Sequence, residues 1–356
     1  IVVHGDYDVD GVVSSVILLQ TLRQLTAEVE IYIPDREEEG YGLNMDTTRE
    51  LAAKGTQLLL TVDCGVSNFS EISLANELGM DVVVTDHHQV PENLPPAIAV
   101  IDPHRSDCQY PFKQLAGAGV VYRLLEGLRH KLGFSYHYDP LDLIALATVA
   151  DVVPLLGENR ILVKHGLDLI NQGTRPALKA LSKACGYQDT CINCYHLGYH
   201  LAPRINAAGR LTHAREAVDL LLATDFSEAL KLATRLTDLN KQRQDLTQIM
   251  LEQARQAYEQ KGADPYLCLV GQSDWTSGLV GLIAGKLCEQ YYVPTFVLQL
   301  GQQISRGSAR SISSFHVTEA LVKCSDLLLR YGGPVSYTHL RAHETVLDLV
   351  CRLLLE

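Results

Sequence analysis

The segment IVVHGDYDVDG, residues 1–11, contains the motif from which the architecture follows. Its first three residues, Ile1–Val3, are apolar and predict a buried β-strand that runs into a polar turn. That turn carries one histidine and three aspartates at alternate positions: His4, Asp6, Asp8 and Asp10. Carboxylates a few Å apart repel one another unless a cation offsets their charge. Since open α/β sheets bind ligands beyond the carboxyl ends of their strands, the segment predicts a divalent metal site there.

Two further apolar segments end in the same kinds of side chain. Residues 57–62, QLLLTV, lead into Asp63. Residues 80–85, MDVVVT, lead into one aspartate and two histidines: Asp86, His87 and His88. Both segments are apolar enough to be buried on both faces, as in a parallel sheet covered by helices. The ends of parallel strands meet at one edge, so we expect these residues to be neighbours in an α/β fold.

Composition and charge limit the class of protein. The chain has 356 residues, of which 47% are hydrophobic and 20% charged, which is typical of a globular protein and suggests two domains. No apolar run approaches the ~18 residues of a membrane span, so we expect no membrane partner. A net charge of −12 argues against a protein that coats nucleic acid by bulk electrostatics. It does not exclude a phosphodiester substrate, because metal ions make an acidic pocket locally positive.

Cysteine usage and the first residue give further expectations. The nine cysteines, an odd number without a framework spacing, indicate reduced thiols and a cytoplasmic location. Cys191 and Cys194 form a single CxxC, and without a second pair a zinc site there is disfavoured. Because the chain begins within a strand, without an initiator methionine or signal peptide, we expect it to be part of a longer protein.

Three polar segments allow both a functional and a structural interpretation. Arg36 lies in a polar loop, where it could pair with the acids of residues 37–39. Residues 201–211, LAPRINAAGRL, are interpreted as a loop of small residues that carries three polar side chains: Arg204, Asn206 and Arg210. Residues 304–312, ISRGSARSI, are interpreted as a loop that suits an oxyanion or is a plain turn, and its polar side chains are Ser308 and Arg310.

The strand-end residues and one later aspartate form a candidate ligand set. Asp151 follows an apolar helix predicted at residues 139–150, a position that by itself is typical of a capping residue. The full set is His4, Asp8, Asp10, Asp63, His87, His88 and Asp151. Carboxylate and imidazole together suit manganese, magnesium or zinc. Four carboxylates can neutralise two divalent ions, which a shared aspartate would hold ~3.5 to 4 Å apart, as in two-metal hydrolases.

These motifs carry a family resemblance. DYDVDG, DCG, DHH and ADVVPL, in this order, resemble the four motifs of the DHH phosphoesterase superfamily. Within it, HGDYDVDG, GYGLN, APRINAAGRL, GSARS and a long polar helix at residues 225–261 are similar to RecJ-type exonucleases, which degrade single-stranded DNA in the 5′ to 3′ direction. The resemblance covers residues 1 to about 333. It implies a parallel-sheet DHH domain at residues 1–224 and a smaller α/β DHH-associated domain at residues 263–333. A linker helix at residues 225–262 would join the two.

The resemblance also implies roles for the site residues. His4 and Asp8 would bind one Mn²⁺ or Mg²⁺ ion, while the second ion would be bound by Asp10, His87 and Asp151, with Asp63 bridging and His88 near the scissile phosphate. The 5′-terminal phosphate would be held by Arg36, Ser308 and Arg310, with Arg204 or Arg210, and Asn206 of the same segment, nearby. The implied reaction is two-metal hydrolysis of single-stranded DNA to 5′-mononucleotides in DNA repair and recombination. The implied partners are a single-strand-binding protein and a helicase, for a monomeric enzyme.

Some alternatives remain, and one segment departs from the family. Superfamily relatives cleave short oligoribonucleotides or cyclic dinucleotides with the same metal set, and others are non-catalytic scaffolds that have lost the acids. All ligand positions are filled here, which argues against the scaffold. Residues 331–334, YGGP, lack the histidine that follows the glycine pair in the family. We therefore expect residues 334–356 to be an unrelated tail, with an amphipathic helix as the alternative.

Overall fold

The computed structural model describes residues 1–25, 28–332 and 337–343. The chain forms two compact units, Ile1–Asn240 and Lys241–Glu356. The division lies within helix α11 (Phe226–Gln260). The bounds of this helix agree closely with those of the long helix expected at residues 225–261. The sequence also predicts that the linker helix is separate from both domains, with boundaries at residues 224 and 262, and this stays a proposal.

The first unit is built on a parallel sheet of five strands in the order β2-β1-β3-β4-β5. The strands are β1 (Val2–Gly5), β2 (Glu30–Tyr32), β3 (Leu58–Val62), β4 (Asp81–Thr85) and β5 (Ala99–Ile101). The other helices of this unit are α1 (Val9–Leu25), α2 (Met45–Ala53), α3 (Phe69–Glu77), α4 (Gly117–Leu132), α5 (Leu141–Ala150), α6 (Gly157–Gln172), α7 (Pro176–Ala184), α8 (Cys194–His196), α9 (Ala202–Leu211) and α10 (Arg215–Leu222). The expected parallel α/β fold is confirmed.

Apolar side chains cover both faces of this sheet. Neighbouring strand residues point to opposite faces, so Val3 and Leu60 join one buried cluster with residues of α1, α4 and α5. Val2 and Leu59 join a second cluster with residues of α2 and α3. The strands therefore read as continuous apolar runs, and only their ends are free to carry polar groups.

Helix α1 begins within the acidic segment. Its first residue is Val9, so the helix includes Asp10. The carboxylate of Asp8 accepts hydrogen bonds from the backbone N–H groups of Asp10 (2.8 Å) and Gly11 (3.1 Å), as an N-terminal cap does. The acidic turn is therefore short, and Asp10 is fixed on the first turn of the helix.

Two segments expected to be loops are regular elements. Residues 202–211 form helix α9, which follows a π-helical turn at Leu197–Leu201. The small residues Ala207, Ala208 and Gly209 are buried in this helix. Ser308 and Arg310 lie on strand β8 (Ile304–Arg310). Since β8 pairs on both sides, with β7 (Thr295–Gln299) and β10 (Tyr337–His343), its backbone amides are used in the sheet and cannot form an oxyanion loop.

The second unit contains a mixed sheet in the order β6-β7-β8-β10-β9. Its other elements are β6 (Cys268–Gln272), β9 (Leu328–Gly332), α12 (Ser277–Tyr291), α13 (Val317–Val322) and a 3₁₀ turn (Ser325–Leu327). Of the tail expected at residues 334–356, only Tyr337–His343 is described, as strand β10, and the rest lies outside the described residues. Among the described helices, none combines the length and apolar character that crossing a membrane requires.

A glycine pair tests how α1 is held against the acidic turn. A Cβ atom at Gly11 would lie 2.5 to 2.6 Å from the backbone N, Cα and O atoms of Asp6, whereas a Cβ at Gly127 of α4 meets open space. We expect Gly11→Ala to lower the free energy of unfolding by ~3 kcal/mol, because backbone must move. Gly127→Ala should raise it by ~0.5 to 1 kcal/mol through helix propensity. Urea denaturation measures both, and equal effects would contradict the close approach.

Candidate metal centre

Three adjacent strands deliver acidic and imidazole side chains to one edge of the parallel sheet. In the sheet, Val62 at the end of β3 is paired with Gly5 at the end of β1 and with Thr85 at the end of β4. The residues that follow these three are all acids: Asp63, Asp6 and Asp86. The structure therefore brings together side chains that are up to 80 positions apart, from residue 6 to residue 86.

His87 lies at the centre of the cluster. Its Nε2 atom is 3.1 Å from Oδ1 of Asp63, 3.7 Å from Oδ2 of Asp151 and 3.8 Å from Oδ2 of Asp10. Asp10, His87 and Asp151 offer three ligand atoms within 4.8 Å of one another, a spacing at which they could hold one cation. This is the group that the family resemblance assigned to a single ion.

The N-terminus of α4 orients Asp10. Its two carboxylate oxygens accept hydrogen bonds from the backbone N–H groups of Gly117 (2.6 Å) and Ala118 (2.8 Å). A Cβ atom at Gly117 would lie 3.0 Å from the side chain of Asp63 and 3.1 Å from Oδ2 of Asp10, so a larger residue would push these carboxylates by a few tenths of an ångström. The helix dipole and these amides stabilise the buried negative charge.

A second ligand group differs from the one expected. Asp6, Asp8 and Asp63 offer three oxygen atoms within 4.8 Å of one another. A third group, Asp63, His87 and His88, shares Asp63 with this group and His87 with the first. The expected ligand set does not include Asp6, and His4 is in none of the three groups of the described residues. The ring of His4 stacks on Tyr32 at 5.3 Å, and burial lowers its pKa to about 4, so it is neutral at pH 7.

Burial and mutual repulsion raise the pKa of these carboxyl groups. Burial, reinforced by Asp8, raises the pKa of Asp6 to about 8, and burial with Asp10 raises that of Asp151 to about 7. The same causes raise the pKa of Asp63 well above its usual range. Burial alone would lower the pKa of His87, but the neighbouring carboxylates outweigh it and raise that pKa.

The donor set fits divalent cations. Within the described part of the chain, three buried atoms of the candidate ligands have no hydrogen-bond partner: Nε2 of His4, Oδ1 of Asp6 and Oδ1 of Asp63. A buried polar atom without a partner is costly, and a cation would satisfy oxygen and imidazole nitrogen atoms alike. Oxygen with a few nitrogen ligands is the set that Mn²⁺ and Mg²⁺ accept. The two ligand groups are adjacent, since Oδ1 of Asp63 in one lies 3.1 Å from Nε2 of His87 in the other, and this arrangement matches a two-ion site.

His88 differs from His87 in both partner and exposure. Its Nδ1 atom lies 2.8 Å from Oδ1 of Asp86, and its side chain is 41% exposed. Burial lowers the pKa of His88, but the hydrogen bond and charge of Asp86 raise it to about 9 overall. His88 is therefore a proton-carrying group that faces solvent beside the cluster, which suits contact with a phosphate oxygen.

Two residues that position this histidine were not predicted from the sequence. Asp86 also accepts hydrogen bonds from the backbone N–H groups of Val66 and His87, at 3.0 and 2.8 Å, so it anchors the turn after β4. The hydroxyl of Tyr41 donates to the backbone oxygen of Asp63 (3.0 Å) and lies 3.2 Å from Nδ1 of His88. A buried acid before two histidines was a signal for Asp86, whereas only the family loop GYGLN pointed towards Tyr41.

Helix α9 contacts the acidic turn. Oδ1 of Asn206 accepts a hydrogen bond from the backbone N–H of Val9 (3.2 Å), and a Cβ at Gly209 would lie 2.6 Å from the backbone oxygen of Tyr7. The charge of Arg210 acts on the pKa of Tyr7, so it belongs to the same surroundings. Arg204 instead donates to the backbone oxygen of His200 (2.6 Å). Asn206 and Arg210 thus lie near the cluster, while Arg204 holds the preceding turn.

Arg36 has a partner within the site loop. Its guanidinium lies over the ring of Tyr7, 4.6 Å from the centroid, and its positive charge offsets part of the rise in the pKa of Asp6. It is therefore more than a solvated loop residue.

Ser308 and Arg310 lie in the second unit, on β8, where Ser308 is buried. Cys191 and Cys194 are in no group with metal-ligand spacing among the described residues.

Comparisons with known proteins agree with the geometry. The family described as "DHH family, N-terminal domain" matches residues 1–148. The single-stranded-DNA-specific exonuclease RecJ of Bacillus subtilis is 41% identical over 99% of this chain and 45% of its own length. The chain spans about half the length of such curated relatives.

Solved structures show the same likeness. A crystal structure of exonuclease RecJ bound to manganese superposes with a TM-score of 0.86 at 37% identity, covering 99% of this chain and 88% of that one. A magnesium complex of RecJ from Thermus thermophilus gives a TM-score of 0.77 at 33% identity, covering 99% of this chain and 48% of that one. The chain therefore belongs to the DHH family and, within it, to the RecJ proteins.

Proposed function

We propose that this chain is a metal-dependent exonuclease that degrades single-stranded DNA from the 5′ end to 5′-mononucleotides, in DNA repair and recombination. The observation that carries the proposal is a set of five carboxylates in ligand groups that Asp63 and His87 link to one another: Asp6, Asp8, Asp10, Asp63 and Asp151. Burial raises the pKa of Asp6, Asp10, Asp63 and Asp151. The relative at 41% identity is named a single-stranded-DNA-specific exonuclease RecJ, and the solved structure at 37% identity is exonuclease RecJ bound to manganese.

The residues divide the chemistry among them. Two Mn²⁺ or Mg²⁺ ions would supply Lewis acidity towards water and phosphoryl oxygens. Asp10, His87 and Asp151 would hold one ion, Asp8 with Asp6 or His4 the other, and Asp63 would bridge. His88 carries a proton that it can donate to a phosphate oxygen as negative charge develops there, and Asp86 keeps it protonated.

The 5′ end of the strand would be recognised by cationic and polar side chains. Arg36 on Tyr7 is held close to the acidic turn, and Asn206 and Arg210 of α9 lie beside it. We propose, from the family resemblance, that Arg36 binds the 5′-terminal phosphate. For Ser308 and Arg310 of the second unit, the same resemblance supports a proposal of phosphate binding. We further propose a monomer in the cytoplasm that acts with a single-strand-binding protein and a helicase.

The direct test is digestion of end-labelled single strands in the presence of Mn²⁺ or Mg²⁺. We expect release of mononucleotides from the 5′ end, faster with a 5′ phosphate, and none from blunt duplex or after chelation. Matched short oligoribonucleotides and cyclic dinucleotides serve as competing substrates. Preference for either would favour the alternative phosphodiesterase, undiminished cleavage in chelator would contradict the mechanism, and inactivity towards all of them would favour a scaffold.

Asp63→Asn separates metal binding from folding. Because it removes one of several repelling buried carboxylates, we expect a higher thermal midpoint in the absence of ions. The Mn²⁺-induced stabilisation should disappear, and activity should fall by more than ~100-fold, beyond the usual effect of a residue outside the ligand set. The control is Asp81→Asn, an exposed carboxylate at the opposite end of β4. Scanning calorimetry measures the shifts, and wild-type stabilisation of Asp63→Asn by Mn²⁺ would refute the bridging role.

Ion binding should release protons. Asp6 and Asp151, with pKa values raised to about 8 and about 7, are largely and half protonated at pH 7 without ions, and ligands must be deprotonated. Because folding raises the pKa of these carboxyl groups, the ion-free fold becomes less stable as pH rises. Because about one proton leaves for each ion bound, Mn²⁺ affinity should increase by about tenfold per pH unit between about pH 6 and 8. Calorimetric titration in buffers of different ionisation enthalpy counts the protons. Affinity independent of pH would contradict the raised pKa values.

A further inference from the structure

An exposed aromatic pair lies outside the metal centre. Tyr195 and Tyr199 occupy successive turns of the segment that leads from α8 into the π-helical turn. Their side chains are 59% and 72% exposed, with ring centroids 4.9 Å apart and ring planes inclined by 32°. Aromatic rings with this much exposed surface contribute little to the core, so a binding role should be considered for this pair.

Inner rings fix the pair in place. Tyr187 packs edge-on against His196 at 4.7 Å and against His200 at 5.0 Å. Tyr195 contacts the ring of His200 at 5.4 Å, and the guanidinium of Arg204 donates to the backbone oxygen of His200. The rings of Tyr187, His196 and His200 therefore fix the position of the tyrosine pair, which lowers the entropic cost of binding a ligand there.

The pair is attached to an element of the metal centre. Gly198, between the two tyrosines, packs beside Val149, since a Cβ there would be in van der Waals contact with Cγ1 of Val149 at 3.4 Å. Val149 precedes the candidate ligand Asp151 by two residues at the same helix end. The residue after Asp151, Val152, is 83% exposed and has a φ of 61°, a strained conformation for a β-branched residue. Both π-helical turns and such strain cluster at functional sites.

The local charge indicates what the rings bind. The segment from Tyr187 to Arg204, which contains all of these aromatic rings, has one acid, Asp189, against one arginine and two histidines, in a chain with a net charge of −12. A polyanion with exposed aromatic faces matches this surface, and single-stranded nucleic acid has both properties. We propose that Tyr195 and Tyr199 form a stacking platform that binds unpaired bases of the strand being degraded. The inference rests on the proposed function and names the base contacts of the same substrate.

The test measures binding, so its failure is distinct from a failure of cleavage. In the Asp63→Asn background, an oligothymidine of about 12 nucleotides with one 2-aminopurine reports affinity by anisotropy and stacking by fluorescence quenching. Tyr195→Ala with Tyr199→Ala should weaken binding by about tenfold or more and remove the quenching, because stacked bases contribute measurably to affinity. Replacement of both by phenylalanine should retain affinity and quenching. Tyr266→Ala, at a 77% exposed tyrosine outside the cluster, is the matched control.

Each other outcome overturns the platform. Unchanged affinity in the double alanine variant, or no measurable binding by the Asp63→Asn chain, would do so even if the wild-type chain cleaves DNA. A shift from dimer to monomer in sedimentation, with DNA affinity unchanged, would show that the rings cover a second copy of the chain. Circular dichroism verifies that the alanine variants remain folded.

Discussion

Repulsion among buried carboxylates at one edge of a parallel sheet is the constraint on which the rest of this structure depends. Strands β1, β3 and β4 deliver Asp6, Asp63 and Asp86 to the same edge, and Asp10 and Asp151 add further charge. Without compensation, such a cluster destabilises the fold. Only part of the compensation comes from the protein, through the helix amides at Asp10 and through His87, and the remainder matches the charge of divalent ions.

Close backbone approach is the second requirement, and it explains the small residues around the site. Glycines at positions 11, 117 and 209 stand where a Cβ atom would meet the backbone of the acidic turn or the carboxylates themselves. Helices α1 and α9 thereby contact the short acidic turn, and α4 contacts the carboxylates of Asp10 and Asp63. The acids are held in place by this packing, since the residues of the turn have little regular structure of their own.

The sequence predicts the sheet and most of the acid cluster because both follow from short-range rules. Apolar runs that end in Asp or His mark the strand ends, and parallel pairing brings those ends together. The predictions for residues 201–211 and 304–312 were wrong because small and polar residues are as compatible with a buried helix or a two-sided strand as with a loop. The position of Asp6 beside Asp8 and Asp63, and of His4 outside the three ligand groups of the described residues, depends on how α1 starts and on burial, which spacing alone does not encode.

The acid cluster is linked to phosphodiester hydrolysis through the proposed pair of ions, and their number and position can be measured directly. Anomalous diffraction at the manganese edge, from crystals grown with Mn²⁺, locates each ion independently of activity. We predict two peaks ~3.5 to 4 Å apart, with Asp63 in contact with both, one peak beside Asp10, His87 and Asp151, and the other beside Asp8. A single peak, or two peaks that do not share Asp63, would contradict the two-ion centre.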